Sequence, residues 1–233
     1  GDAVRALRIN TLKVSDAAAK RLISSMGLVP LGYGSGYIFE SAAPGSKPMH
    51  HAGAFYVQDP GAMSTVAAAE SVISPDLRIL DMCASPGGKS TQLAALLTNG
   101  GSGYLVSNEI DRSRAKILRG NTERMGHRRT VVTSAAPDRI AEDFESVFDY
   151  VLVDSAPIGA AIDAAIIGKH CDGAILVTAQ GVASAPMINS VKRQLEVAGV
   201  HILGAVLNKV NMKKNSYYGK YYGSYYGHYG DKE

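Results

Sequence analysis

Ile79-Leu80-Asp81-Met82-Cys83-Ala84-Ser85-Pro86-Gly87-Gly88-Lys89-Ser90-Thr91 reads as a buried strand, a glycine-rich turn and the opening of a helix over residues 89–97. A turn of this kind leaves backbone N–H groups and a helix N-terminus free to meet an anionic or polar ligand. Two cofactors fit that description, a nucleoside triphosphate and S-adenosylmethionine. A phosphate-binding loop asks for Gly-x-x-x-x-Gly-Lys-Ser/Thr, with the lysine on the outer phosphates and the hydroxyl on magnesium. Gly88-Lys89-Ser90 supplies the end of that pattern, but Cys83 stands at its first glycine. A site for an adenosyl cofactor asks instead for a tight glycine turn after the first strand and an acid ending the second, to hold the ribose hydroxyls. Glu109, in Leu105-Val106-Ser107-Asn108-Glu109, stands where that acid is needed.

Downstream of this stretch the pattern is regular. Strands predicted at 78–82, 104–107, 130–133, 150–154, 173–178 and 202–207 alternate with helices at 89–97, 111–125, 160–167 and 184–198. Such alternation implies βαβ units and a mostly parallel sheet covered on both faces. Helix 184–198 carries Met187, Val191, Leu195 and Ala198 as its core stripe. Upstream, residues 1–57 read as a small α+β module. It has a strand at 6–9, a helix from the N-cap Ser15 to Met26 closed by Gly27, and short strands at 28–31 and 37–39. Lys47-Pro48-Met49-His50-His51 reads as a loop, and its histidines lack a third ligand at metal-binding spacing. An alanine-rich helix is predicted over about residues 62–73. The fold class is α/β: a doubly wound, mostly parallel Rossmann-like sheet over 58–212, preceded by the 1–57 module and followed by a flexible tail, 213–233. Seven of the twelve tyrosines fall in that tail (Tyr217, Tyr218, Tyr221, Tyr222, Tyr225, Tyr226 and Tyr229), among glycines and lysines without aliphatic residues.

With 46% hydrophobic residues the 233-residue chain can fill a core, and its net charge of +3 excludes a general polycation. The charge is uneven. Between Asp111 and Arg129 seven Lys or Arg face two acids, a local balance of +5. A face bearing Arg112, Lys116, Arg119, Arg128 and Arg129 suits RNA phosphates, and it equally suits a solvated helix surface. Two cysteines, Cys83 and Cys171, argue against a disulfide framework and fit a reducing, cytoplasmic compartment. No apolar run reaches membrane-spanning length.

Several words of the chain, in order, carry a resemblance. They are Leu7-Arg8-Ile9-Asn10-Thr11-Leu12-Lys13, His50–Pro60, Leu80–Lys89, Asn108-Glu109, Ser113–Leu118 and Glu123-Arg124-Met125-Gly126. Residues from about 6 to 154 resemble the Sun-type rRNA cytosine-C5 methyltransferases. The resemblance implies an S-adenosylmethionine pocket formed by Cys83, Ala84, Ser85, Pro86, Gly87, Gly88 and Lys89, with Glu109, Asp154 and nearby Arg114. It also implies an RNA-facing role for residues 1–57 and rRNA as partner. In that family a cysteine thiolate adds to C6 of cytosine, and a second cysteine helps release the product. This chain has Asp154-Ser155-Ala156-Pro157-Ile158-Gly159 where the family has an Asp-Ala-Pro-Cys word, and it lacks the downstream Thr-Cys word. Cys83 matches a cofactor-loop position, and Cys171 reads as a small buried thiol. These departures leave no catalytic residue assigned and argue against methyl transfer.

From Phe148 onward, Phe148–Gly159, Cys171–Val177, Val197–Lys209 and the tyrosine tail also resemble the bacterial tyrosine kinases of capsular polysaccharide export. That resemblance implies ATP with magnesium held by Lys89, Ser90 and Asp154, autophosphorylation of the tail tyrosines and a membrane adaptor as partner. Against it, the loop is one residue shorter than the kinase Pro-Gly-Glu-Gly-Lys-Ser, and an Asp-x-Asp word is missing from strand 104–107. The two resemblances together suggest a chimera joined near 148–157, and a non-enzymatic chimera is a third reading.

Overall fold

The computed structural model describes residues 5–39, 44–97, 100–136, 147–155 and 163–208. The tyrosine tail and residues 156–159, on which parts of the kinase resemblance rest, lie outside the described residues. The chain forms two compact units, residues 1–164 and 165–233.

The first unit opens with a four-stranded antiparallel sheet in the order β2-β3-β1-β4, made of β1 (Ala6–Ile9), β2 (Val29–Pro30), β3 (Gly36–Ile38) and β4 (Phe55–Val57). Helix α1 (Asp16–Met26) starts where Ser15 accepts from the Ala18 N–H and ends at Gly27, whose φ of +60° turns the chain. Leu7, Ile9, Leu22, Leu28, Phe39 and Phe55 form the core between sheet and helix. The stretch predicted as a loop at 47–51 contains a one-turn helix, α2 (Pro48–His51). Pro48 sits at its first turn, where a missing N–H costs nothing, so proline here starts a helix.

The second layer system begins with α3 (Pro60–Ala69), capped by Asp59 accepting from the Gly61 N–H, and a 3-10 turn at Glu70–Val72. Then follow β5 (Arg78–Asp81), α4 (Gly88–Leu97), β6 (Tyr104–Asn108), α5 (Arg112–Met125), β7 (Thr130–Thr133) and β8 (Tyr150–Leu152). The strands form a parallel sheet in the order β7-β6-β5-β8. Side chains alternate across β5. Ile79 packs with Val66, Leu93, Leu97 and Leu105 on the α3–α4 side, while Leu80 packs with Met82 and Phe148 on the other. The chain builds outward from β5 through β6 and β7, then returns to place β8 on the opposite side of β5. The strand order therefore reverses between β5 and β8, and a crevice opens at the carboxyl ends of these two strands.

The second unit carries most of α6 (Asp163–Gly168), β9 (Ala174–Ala179), α7 (Ala185–Val197) and β10 (Ile202–Asn208). Its strands pair in parallel with each other as a separate two-stranded sheet. The alternation implied a mostly parallel sheet but left the neighbour of strand 173–178 open. Periodicity identifies a strand and its faces, whereas the neighbour of a parallel strand is set by packing remote in sequence. Along α7, Leu195 is buried but Met187 is 51% exposed, so the predicted core stripe is only partly covered among the described residues.

Candidate functional site

The crevice between the ends of β5 and β8 is a cavity of about 220 Å³. The turn after β5 supplies Asp81, Cys83, Ala84, Ser85, Pro86, Gly88 and Lys89 to its wall, and the end of β8 supplies Asp154. The opposite wall comes from Tyr56, Val57, Gln58, Asp59 and Ala62, at the junction of β4 and α3.

Asp81 sits at the floor, 1% exposed. Its Oδ2 accepts from Ser90 Oγ at 2.7 Å, while its Oδ1 is buried without a partner among the described residues. Burial pushes this carboxyl up to about 6, against the lowering effect of the Ser90 hydrogen bond and of Lys89. Lys89 Nζ stands 2.6 Å from Asp154 Oδ2, which balances its charge at the cavity mouth.

The turn is tied back at its carbonyls. Tyr56 Oη and Asn121 Nδ2 donate to Pro86 O at 3.1 and 2.8 Å. Thr91 Oγ1 donates to Gly87 O at 2.7 Å. Gly87 has φ +109°, which favours glycine, and a Cβ there would crowd Leu118 Cδ1 at 3.1 Å. A Cβ on Gly88 would crowd the Gln58 side chain at 3.2 Å. With its carbonyls held from behind, the turn leaves the first N–H groups of α4 without intrahelical partners beside the cavity.

Glu109, at the end of β6, is buried outside the cavity wall and already engaged. Its Oε1 accepts from the Asp111 N–H at 3.1 Å, and its Oε2 lies 3.3 Å from Arg114 Nη2. Arg114 in turn reaches Ser85 O at 3.3 Å, and Ser85 Oγ donates to Arg114 O at 3.1 Å. The sequence-predicted residues thus converge in two tiers, the turn (apart from Gly87, which is off the wall) with Asp154 on the cavity and Glu109 with Arg114 bracing it. Asp81, Tyr56, Gln58, Asp59 and Ala62 were not predicted as site residues. All lie in words already singled out or directly after them, and an aspartate ending the apolar run Ile79-Leu80 was the available signal.

Neither cysteine is prepared as a nucleophile. Cys83 is exposed, but desolvation and the carboxylates of Asp81, Glu109 and Asp154 push its thiol up. Cys171 is partly buried, donates to Ile167 O at 3.4 Å and is also pushed up, by burial and Asp172. Ser90, read as a magnesium ligand in the kinase alternative, is 1% exposed with its hydroxyl spent on Asp81. A buried, committed hydroxyl does not present itself to a metal–phosphate ligand. Among the described residues no three His, Cys, Asp or Glu gather as metal ligands.

Arg112, Lys116, Arg119, Arg128 and Arg129 are all exposed, with Arg119 paired to Glu123 at 2.8 Å. Arg124, counted in the same charge cluster, is turned inward. Its Nη1 donates to His50 O at 2.6 Å and its guanidinium lies 5.5 Å from the Tyr56 ring centroid. Among the described residues no helix is long and apolar enough to cross a membrane.

Comparison with known proteins gives the same direction. The family described as 16S rRNA methyltransferase RsmB/F matches residues 72–198, more than half the chain. The N-terminal domain of 16S rRNA methyltransferase RsmF matches residues 1–60. The chain is 34% identical over 166 residues to ribosomal RNA small subunit methyltransferase F of Escherichia coli O17:K52:H18, and 35% identical to that of Salmonella paratyphi B. Each alignment covers 68% of this chain and 34% of the relative, so the chain spans about a third of the length of these curated relatives. Among solved structures, a methyltransferase homolog from Pyrococcus horikoshii shares the fold with a TM-score of 0.59 at 22% identity, covering 89% of this chain and 64% of its own. NSun6 from the same organism, solved with SFG, aligns at TM-score 0.58 and 15% identity, covering 96% of this chain and 81% of its own. These findings lend no support to the tyrosine-kinase resemblance. The family match runs on to residue 198, across the stretch where a join near 148–157 was inferred, and so gives no support to a chimera either. On this match, and with its parallel α/β sheet, the chain belongs to the RsmB/F family of 16S rRNA methyltransferases.

Proposed function

We propose that this chain binds S-adenosylmethionine in the crevice between β5 and β8 and serves cytosine-C5 methylation of small-subunit rRNA in the cytoplasm. The observation that carries the reading is the floor of the cavity. A buried carboxylate keeps one oxygen, Asp81 Oδ1, without a partner among the described residues, beneath a turn whose Gly87 has a φ of +109°. A buried orphan acceptor costs stability unless a ligand satisfies it, and the cofactor's amino and hydroxyl groups are donors. The residues present therefore fit the group. The turn Cys83–Lys89, with the N–H groups at the start of α4, would hold it from one side and Asp154 from the other. Glu109 and Arg114 would keep the turn and α5 in register. When bound, the cofactor supplies an activated methyl on a sulfonium.

The division of the chain follows from the same reading, with 1–57 as an RNA-facing module, 58–212 as the cofactor-binding domain and 213–233 as a tail. Arg112, Lys116, Arg119, Arg128 and Arg129 would meet RNA phosphates. Cytosine C5 is a weak nucleophile until a thiolate adds at C6. With both thiols of these 233 residues pushed toward the protonated form, cofactor and RNA binding are assigned to this chain, and the addition step is not. Calorimetric titration of the purified chain tests the assignment. Saturable micromolar binding of S-adenosylmethionine is expected, with no heat from Mg-ATP. Binding of Mg-ATP without the sulfonium cofactor would overturn it.

A further inference from the structure

Arg8 is the least expected charged residue in the first unit. It lies in β1, the strand farthest from the cavity in sequence, yet it is 3% exposed. Its hydrogen bonds go to two uncharged groups, Nη2 to Thr91 Oγ1 at 2.7 Å and Nε to Gln58 Oε1 at 3.4 Å. Burial lowers the guanidinium to about 10, which still leaves it charged at neutral pH. A buried cation bonded to neutral groups costs stability, and residues on a β-strand surface are easily replaced by apolar ones that avoid that cost.

The partner explains what the charge does. The Thr91 hydroxyl has one proton, directed to Gly87 O at 2.7 Å, while its lone pair accepts from Arg8. The three groups make a directed chain, guanidinium to hydroxyl to the carbonyl of the glycine at the apex of the turn. A charged donor polarises the hydroxyl and strengthens its bond to Gly87 O. Next to it, Asn121 of α5 holds Pro86 O at 2.8 Å. Two successive carbonyls of the turn are thus pinned by side chains of α4 and α5, which fixes the peptide planes that lead into Gly88 at the cavity wall. Neither Arg8, Thr91 nor Asn121 lines the cavity, so none is placed to touch a ligand there.

We propose that the N-terminal module is a working part of the cofactor site, with Arg8 and Thr91 as positioning residues that set the glycine turn for S-adenosylmethionine. The proposal rests on the reading that this cofactor occupies the crevice. It gives the module a second task beside any contact with RNA, and it couples the two, since a shift of β1 would be felt at Gly87.

The test uses the full chain carrying Arg8→Met, Thr91→Val or Thr91→Ser, with calorimetric titration of S-adenosylmethionine and exchange of the Thr91 amide, which donates to Gly87 O at 2.9 Å, in the unliganded protein. Thr91→Val is expected to weaken affinity about three- to tenfold, and Arg8→Met about tenfold or more. Thr91→Ser, which keeps the hydroxyl, is expected to bind as the parent does. The Thr91 amide should exchange faster in the first two variants only. If Arg8→Met does not fold, the Val and Ser pair at Thr91 decides alone. Unchanged affinity in Thr91→Val, or equal loss in Thr91→Val and Thr91→Ser, overturns the proposal. If the parent chain does not bind the cofactor, the cofactor assignment falls, and the amide exchange still reads whether the relay holds the turn.

Discussion

At Asp81 burial and charge pull in opposite directions. The side chain ends an apolar strand, is buried to 1% exposure and keeps Oδ1 without a partner among the described residues. Its carboxyl is raised from 3.8 to about 6, so between those values the folded chain holds a proton that the unfolded chain has released. Stability from this group is therefore fully present below about pH 4 and falls by about 3 kcal/mol as pH rises through 6. Asp81→Asn removes the titration. In urea unfolding the variant should exceed the parent by about 1–3 kcal/mol at pH 8 and match it within about 1 kcal/mol at pH 4. A gap that does not close at acid pH would contradict this account of Asp81. The residue was visible in the sequence as part of the organising stretch, but its role was not. Burial of a carboxylate depends on helix α4 and Lys89 closing over it, which no local pattern encodes. Glu109 shows the converse. Its position after β6 was legible, whereas its ion pair with Arg114 was not, because that contact depends on where α5 begins.

Elements were most legible where their ends carry a local chemical reason. Ser15 and Gly27 mark helix ends in the structure as they do in the sequence, because caps are decided within a few residues. Pro48 opens a helix where a loop was expected, and among the described residues β9 pairs only with β10, since both outcomes depend on packing. The contact between the N-terminal module and α5 also escaped sequence reading. Asn10 Nδ2 donates to Gly53 O and Met125 O, each at 2.8 Å, and Lys13 Nζ donates to Arg124 O at 2.7 Å. Gly53 lies in the middle of this junction with φ +76°, and a Cβ there would fall 1.9 Å from Arg124 O. Gly53→Ala should therefore cost about 2–4 kcal/mol, because neither backbone can yield without losing these bonds. Gly27→Ala, at φ +60° with nothing within 4 Å, is the matched control and should cost about 1 kcal/mol. Equal losses of melting temperature in the two variants would show that the junction is looser than its geometry.

For the molecule as a whole, the order β7-β6-β5-β8 matters more than any single residue, because it puts the reversal of strand order between β5 and β8. That is where the glycine turn, Asp81 and Asp154 meet. The α/β class and the glycine turn were legible because βαβ alternation and turn chemistry are written locally. The kinase resemblance grew from a strand word, Phe148–Asp154, that is compatible with many parallel sheets, and from a tail outside the described residues. Strand words of that type specify burial on two faces more than they specify a catalyst. The account's central claim is that S-adenosylmethionine sits on the turn after β5. Amide chemical-shift mapping of the isotopically labelled chain during titration with S-adenosylmethionine tests it most directly. The account predicts saturable shifts concentrated at Cys83–Ser90 and at Tyr56–Asp59, with Gly87 and Gly88 among the largest. Saturable shifts confined to other surfaces, or none at millimolar cofactor, would contradict it.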